Sequence, residues 1–224
     1  MSGNSWLRFE TGVAVAELCI PDPTERDDLA AFVARAVRLD RDAMVRLRDG
    51  HGRVHAWVDT PFDTLVTRSV RGVVRPGDIT VRSTDLLAAV AAVGAAVSDP
   101  GPAQDALWRC ALPPEQGWHA VDQVPADVLA ELTDQGAAVA RHNRGPRGSP
   151  PAALLDQKVI TVSGAGFEVG VPLRCLFALS GMGFVGTSSV SETVRVSATD
   201  SWLRLDARYG AVLRRRHAAL PLLV

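Results

Sequence analysis

Gly164-x-Gly166-x-x-x-Gly170 is the stretch of this 224-residue chain that comes nearest to a cofactor motif. Glycines between a strand and a helix let the backbone approach a dinucleotide pyrophosphate at the helix N-terminus. The spacing is one residue off, however, and Phe167 to Val171 reads as a continuing strand with antiparallel segments after it. A hairpin turn accounts for these glycines. His51 and His55, with Asp49 and Asp59 nearby, could line a zinc or catalytic site, since residues four apart on a strand share a face. That site lacks a third ligand nearby in sequence, and Gly52 puts a turn between the two histidines, so a solvated hairpin tip is the simpler reading. Ser180-Gly181 lacks the Gly-x-Ser-x-Gly elbow, and Asp27-Asp28 sits at a helix start, where acids complement the dipole. No catalytic residue, metal site or cofactor is expected, and an enzyme is the less favoured reading.

The arginines offer different chemistry. Arg46, Arg48, Arg68, Arg71, Arg82, Arg195, Arg204 and Arg208 fall in expected strands, several alternating with apolar residues. One sheet face could therefore present guanidinium groups to a phosphate or to an acidic protein surface. Interleaved Asp and Glu make a solvated outer face the alternative. Arg46, Arg48, Arg195 and Arg204 are the candidate partner-binding residues, joined by Leu220, Leu222 and Leu223 of the apolar tail. Arg214-Arg215-Arg216-His217 is the dense basic cluster and reads equally as the end of the last strand.

Composition sets the frame. With 47% hydrophobic and 22% charged residues the chain is ordinary for a globular protein and long enough to bury a sizeable core. No segment reads as a secretory signal or membrane span, so a cytoplasmic location is the expectation. Of the 24 basic residues only Lys158 is a lysine, a bias that GC-rich bacterial coding produces, and the formal net charge is −1. Neither gives a general pull toward nucleic acid or anionic membrane. Cys19, Cys110 and Cys175 lie far apart among apolar neighbours, as small buried hydrophobes do.

The elements that must position these residues follow from periodicity. Val13 to Ile20 reads as strand, and Thr24 as the cap of a helix whose Leu29, Phe32, Val33, Ala36 and Val37 line one face. The period then drops to two for Met44–Arg48, Val54–Val58 and Leu65–Val74, with turns at Asp49-Gly50, Thr60–Asp63 and a type II signature at Pro76-Gly77. Ile79–Arg82 is a short strand, and a helix from Ser83 or Thr84 carries Leu86, Leu87, Val90, Val93 and Val97. Ala103 to Pro151 reads as irregular before Pro125 opens a helix, and His142 to Pro151 as a linker. Lys158–Ser163 and Phe167–Val171 are strands, Pro172 opens a helix, and Thr193–Val196, Trp202–Asp206 and Ala211–Arg214 form a second meander.

Laid over each other, the two strand-helix-meander stretches match Leu29 with Leu176, Val45 with Val194, Asp59 with Asp206 and Arg68 with Arg215. The fold class is therefore α+β: two strand-helix-meander units of mostly antiparallel sheet, consistent with a diverged internal duplication, plus an inserted helical and irregular segment at 103–141. The domains expected are residues 1–145 and 146–224. In order of elements this arrangement resembles the half-domains of DNA sliding clamps over about half of the chain, without a motif specific to them. The Leu220-Pro221-Leu222-Leu223 tail is similar to the short apolar peptides that dock into clamp grooves, but lacks their leading polar residue. The favoured function is a non-enzymatic binding or assembly protein with a protein partner. The alternative is a small-molecule site or enzyme in a cleft between the units, lined by Gly164–Gly170 and His51–His55.

Overall fold

The computed structural model describes residues 16–92, 96–142, 150–185 and 192–216. The expected boundary at 145, Val93, the Ser/Thr-rich 186–191 segment, His217 and the apolar tail lie outside them. β1 (Glu17–Cys19) leads into α1 (Pro23–Leu39). Asp22 caps that helix, its Oδ1 accepting the Thr24 amide at 2.8 Å, because Pro23 with its helical φ takes the first turn. The cap is thus Asp22 and not Thr24.

The first meander is β2 (Met44–Gly50), β3 (Arg53–Thr60) and β4 (Thr64–Arg71). The expected strand from Leu65 to Val74 is split at Gly72, where a Cβ would lie 2.4 Å from the Cys19 carbonyl oxygen, and β5 (Val73–Arg75) pairs with β1 instead. The Arg75–Pro76 peptide is cis, and Gly77 does not take the positive φ that the third residue of a type II turn needs, so the turn is of another kind. β6 (Asp78–Arg82) and α2 (Ser83–Val90) come next. That helix stops short of the expected Val97, which lies in β7 (Val97–Ser98).

The segment expected to be irregular holds a strand. After a 3₁₀ turn at Asp105–Leu107, β8 (His119–Pro125) joins the main sheet and Pro125 ends it, with α3 (Ala126–His142) beginning one residue later. Polar residues at His119, Asp122 and Gln123 hide this strand, as suits an edge position with one wet face. α4 (Ala152–Leu155) precedes the ribbon of β9 (Lys158–Gly164) and β10 (Phe167–Pro172), then α5 (Leu173–Gly181). Pro172 closes β10 instead of opening the helix. β11 (Thr193–Ala198), β12 (Trp202–Ala207) and β13 (Gly210–Arg215) complete the second meander.

Eight strands form one antiparallel sheet in the order β6-β2-β3-β4-β13-β12-β11-β8. The two meanders meet at its centre, where Leu65, Val66 and Thr67 of β4 pair with Leu213, Val212 and Ala211 of β13. In each half the strand before the helix goes to a small sheet, and another strand, β6 or β8, flanks the meander. Both edges are covered: Gln104 and Asp105 bond to the Thr80 backbone, and Gly164 passes so near Val121 that a Cβ would lie 2.1 Å from its carbonyl oxygen.

One sheet face builds the core. Val45, Leu47, Val54, Ala56, Val58 and Val66 from the first half join Val194, Val196, Leu203, Leu205 and Val212 from the second in a single buried cluster. Leu29, Phe32, Val33 and Ala36 of α1 and Leu173, Leu176 and Leu179 of α5 cover it, with Phe32 stacked on Phe184 at 6.2 Å between centroids. Burial of this one face explains why apolar side chains recur at every second strand position.

Candidate partner-binding surface

The opposite sheet face carries the arginines. Strand register places Arg46 and Arg48 of β2, Arg195 of β11 and Arg204 of β12 all on this outer face, because each alternates with a core residue. The two pairs occupy different halves of the sheet. Arg46 grips Asp78 through two bonds of 2.7 Å, which raises its already high pKa, and Arg48 lies 3.4 Å from the same carboxylate. Arg204 pairs with Asp206 at 2.7 Å. Arg195 is exposed and makes no ion pair among the described residues. Arg68 departs from the row: it faces the helices and bonds Asp28 of α1. Leu220, Leu222 and Leu223 lie outside the described residues.

Between the two arginine pairs runs an apolar stripe that sequence reasoning missed. Trp57, Leu65, Ala211, Leu213 and Trp202 form it across the central β3-β4-β13-β12 strands. A strap, residues 104–118, lies over it and contributes Trp108, Cys110, Leu112 and Trp118. Trp108 lies 5.9 Å beneath the Arg46 guanidinium and Trp118 lies 5.8 Å from that of Arg204, both within cation–π range. The two tryptophans in an otherwise polar and proline-rich stretch were the available signal, but which surface they cover depends on the sheet.

The strap also brings a thiol and a carboxylate together. The Cys110 thiol donates to Asp59 Oδ2 at 3.0 Å. Burial pushes the Asp59 pKa upward against that bond, while burial and the carboxylate beside it raise Cys110 to about 12. Cys175 is the buried hydrophobe expected, whereas Cys110 and Cys19 are half-buried. His55, partly buried on the same face near Arg53, has its pKa lowered, chiefly by loss of solvent.

Beyond the strap the outer face opens into a groove of about 630 Å³ over β8, β11 and β12. Trp118, Gln123, Arg195, Arg204 and Arg208 line it, with Asp206 the one acid among its lining residues. Arg204 neutralises that acid, so Arg195 and Arg208 give the groove a positive excess. Gln123 accepts from Thr193 at 3.1 Å, which leaves amide donors at its edge.

The alternative site does not assemble. His51 is in the β2–β3 turn with φ 54°, His55 faces outward from β3, and Gly164 to Gly170 lie on the separate β9–β10 ribbon. Ala165 and Gly166, both left-handed, make the hairpin turn there. Among the described residues no His/Cys/Asp/Glu group could hold a metal ion, and no helix is long and apolar enough to cross a membrane.

The fold so built is similar to that of sliding clamps. Among solved structures the chain is similar to the beta sliding clamp of Caulobacter crescentus, with 16% identity and a TM-score of 0.59 over 92% of this chain and 66% of that one. It is also similar to the DNA polymerase sliding clamp of Bacillus subtilis (14%, TM-score 0.56, 92% and 66%) and to the griselimycin-bound sliding clamp of Bartonella birtlesii (11%, 0.53, 93% and 66%). The chain thus spans about two thirds of the length of these clamps, and the likeness is one of fold. Two family models match it, each described as a domain of unknown function: DUF8010 over residues 13–110 and DUF8185 over residues 113–219. No curated protein matches.

Proposed function

We propose that this chain is a non-enzymatic binding or assembly protein that uses a clamp-like scaffold to hold an acidic surface of a protein partner in the outer groove. The observation that carries the reading is the groove itself, where the guanidinium groups of Arg195 and Arg208, without carboxylate partners among the described residues, flank Arg204 and the Trp118 ring. Arg and Trp are the residue types that anchor interfaces, and a positive groove steers an acidic partner. Nucleic acid fits less well. The exposed face of α3 presents Asp127, Glu131 and Asp134, and that of α1 presents Asp27 with Arg38, so the helices offer no basic track for phosphates. Arg46 and Arg48, tied to Asp78 and in part covered by the strap, are secondary contacts in this reading, and Leu220, Leu222 and Leu223 are a separate one.

The test is affinity purification from the native host with three chains: unaltered, Arg195→Glu/Arg208→Glu, and lacking the last five residues. The expected result is one partner retained by the unaltered chain and reduced roughly tenfold or more by the double charge reversal, with the melting temperature of the variant little changed. Equal recovery with the reversed groove, or no partner with any chain, rejects the proposal. Loss on truncation alone transfers the contact from the groove to the tail.

A further inference from the structure

We infer that a second cleft, on the β9–β10 ribbon, binds a small soluble phosphate-bearing ligand. This site is separate from the outer groove and does not depend on its reading. The cleft has a volume of about 270 Å³ and lies between the ribbon and the last residues of β13. Four cationic residues, Lys158 and Arg214 to Arg216, line it against two acids, Asp156 and Glu168.

The charges divide into a fixed floor and a rim on which Lys158, Arg215 and Arg216 outnumber the one acid Glu168. On the floor, the side chains of Arg174 and Arg214 are each 8% exposed and share their acids. Arg174 donates to Asp156 Oδ1 at 2.7 and 2.9 Å and to the Phe62 carbonyl at 2.7 Å. Arg214 reaches Asp156 at 3.0 Å and Asp63 at 3.1 Å. These two pairs hold the floor rigid and consume the charge of Asp156. On the rim, Arg216 is held by neutral groups: it donates to the carbonyls of Thr199 at 2.9 Å and Glu168 at 3.1 Å and lies 5.7 Å from the Phe167 ring centroid. Among the described residues its positive charge meets no carboxylate. Lys158, the single lysine of the chain, makes no ion pair among the described residues either.

Gly170 sets where that lysine lies. A Cβ at this position would fall 2.4 Å from Lys158 Cδ and 2.9 Å from its Cγ, so the stem rests flat across the bare backbone of β10. An ammonium and a preformed guanidinium fork on one rim suit a compact, doubly charged oxyanion, which takes several charge-assisted bonds at once. The volume falls just below the range of sites for drug-sized molecules, so it admits a phosphate group with a short organic remainder.

Pyrophosphate is the probe, titrated calorimetrically into the full chain at low salt. The expected result is saturable one-to-one binding that weakens roughly tenfold or more in Lys158→Ala and in Arg216→Ala. Gly170→Val keeps every charge but displaces the lysine stem, and a similar loss is expected; Lys158→Arg retains binding. Arg41→Ala, at an exposed arginine in the turn before β2, binds as the unaltered chain does. Circular dichroism of each variant separates lost binding from lost fold. Absence of saturable binding at roughly 10 mM pyrophosphate, undiminished affinity in folded Lys158→Ala and Gly170→Val, or an equal loss in Arg41→Ala overturns the site.

Discussion

Asp59 and His55 sit two turns of pleat apart on β3, yet burial drives their titrations in opposite directions. Asp59 lies under the strap with its pKa raised, so between the ordinary carboxylate range and that raised value the folded chain binds a proton that the unfolded chain has released. Its contribution to stability is therefore present at acid pH and lost as pH rises through the folded value. His55, with its pKa lowered, contributes stability at neutral pH and above that is lost as pH falls below its ordinary value. Asp59→Asn keeps an oxygen to accept from the Cys110 thiol while removing the partly desolvated charge. Its melting temperature is expected to exceed that of the unaltered chain by a margin that grows from about pH 4 to about pH 7, and His55→Gln is expected to narrow the loss between about pH 6.5 and pH 5. A constant difference across these ranges would show that neither group titrates differently on folding.

At the scale of elements, the strap is the piece that closes the outer face of the sheet. It caps the β6 edge through Gln104 and Asp105, then crosses the apolar stripe with Trp108 and Trp118. Its anchoring is local as well as tertiary: Trp108 Nε1 donates to the Cys110 carbonyl at 2.5 Å and Trp118 Nε1 to that of Pro114 at 2.9 Å. Trp108→Ala removes both the ring over the stripe and the bond that shapes the turn. The expected cost is about 2 kcal/mol, less than for a fully buried tryptophan because this one is half-exposed. The same variant should expose Cys110, so its labelling by a maleimide should accelerate several-fold relative to that of buried Cys175. Unchanged labelling would mean that the strap is held by Leu112 and Trp118 alone.

At the scale of the whole molecule, the two meanders share one sheet and one core. The β4–β13 ladder and the floor of Arg174, Arg214, Asp63 and Asp156 tie the halves together, with Asp63 from the first half and the other three from the second. Unfolding is therefore expected to be a single transition. Arg174→Ala, which removes a buried guanidinium from Asp156 and from the Phe62 carbonyl while Arg214 still pairs with both acids, should cost about 1.5 kcal/mol and lower hydrogen-exchange protection in β3 and β12 by the same factor. Loss of protection in β12 alone would show two units that fold separately. These global features mark the limit of what sequence could reveal. Alternation through Met44 to Leu65 and Thr193 to Leu213, and the Leu29 to Val37 stripe, determined by themselves the meanders, the first helix and the α+β class, because period and turn chemistry are local properties of a chain. The same alternation put Arg46, Arg48, Arg195 and Arg204 on strand faces. That all four share the face away from the helices, that β8 belongs to the sheet, and that a proline-rich strap covers the central stripe were decided only by tertiary structure. Each depends on which distant strands pair, and pairing is set by contacts between residues far apart in the chain that no local pattern encodes.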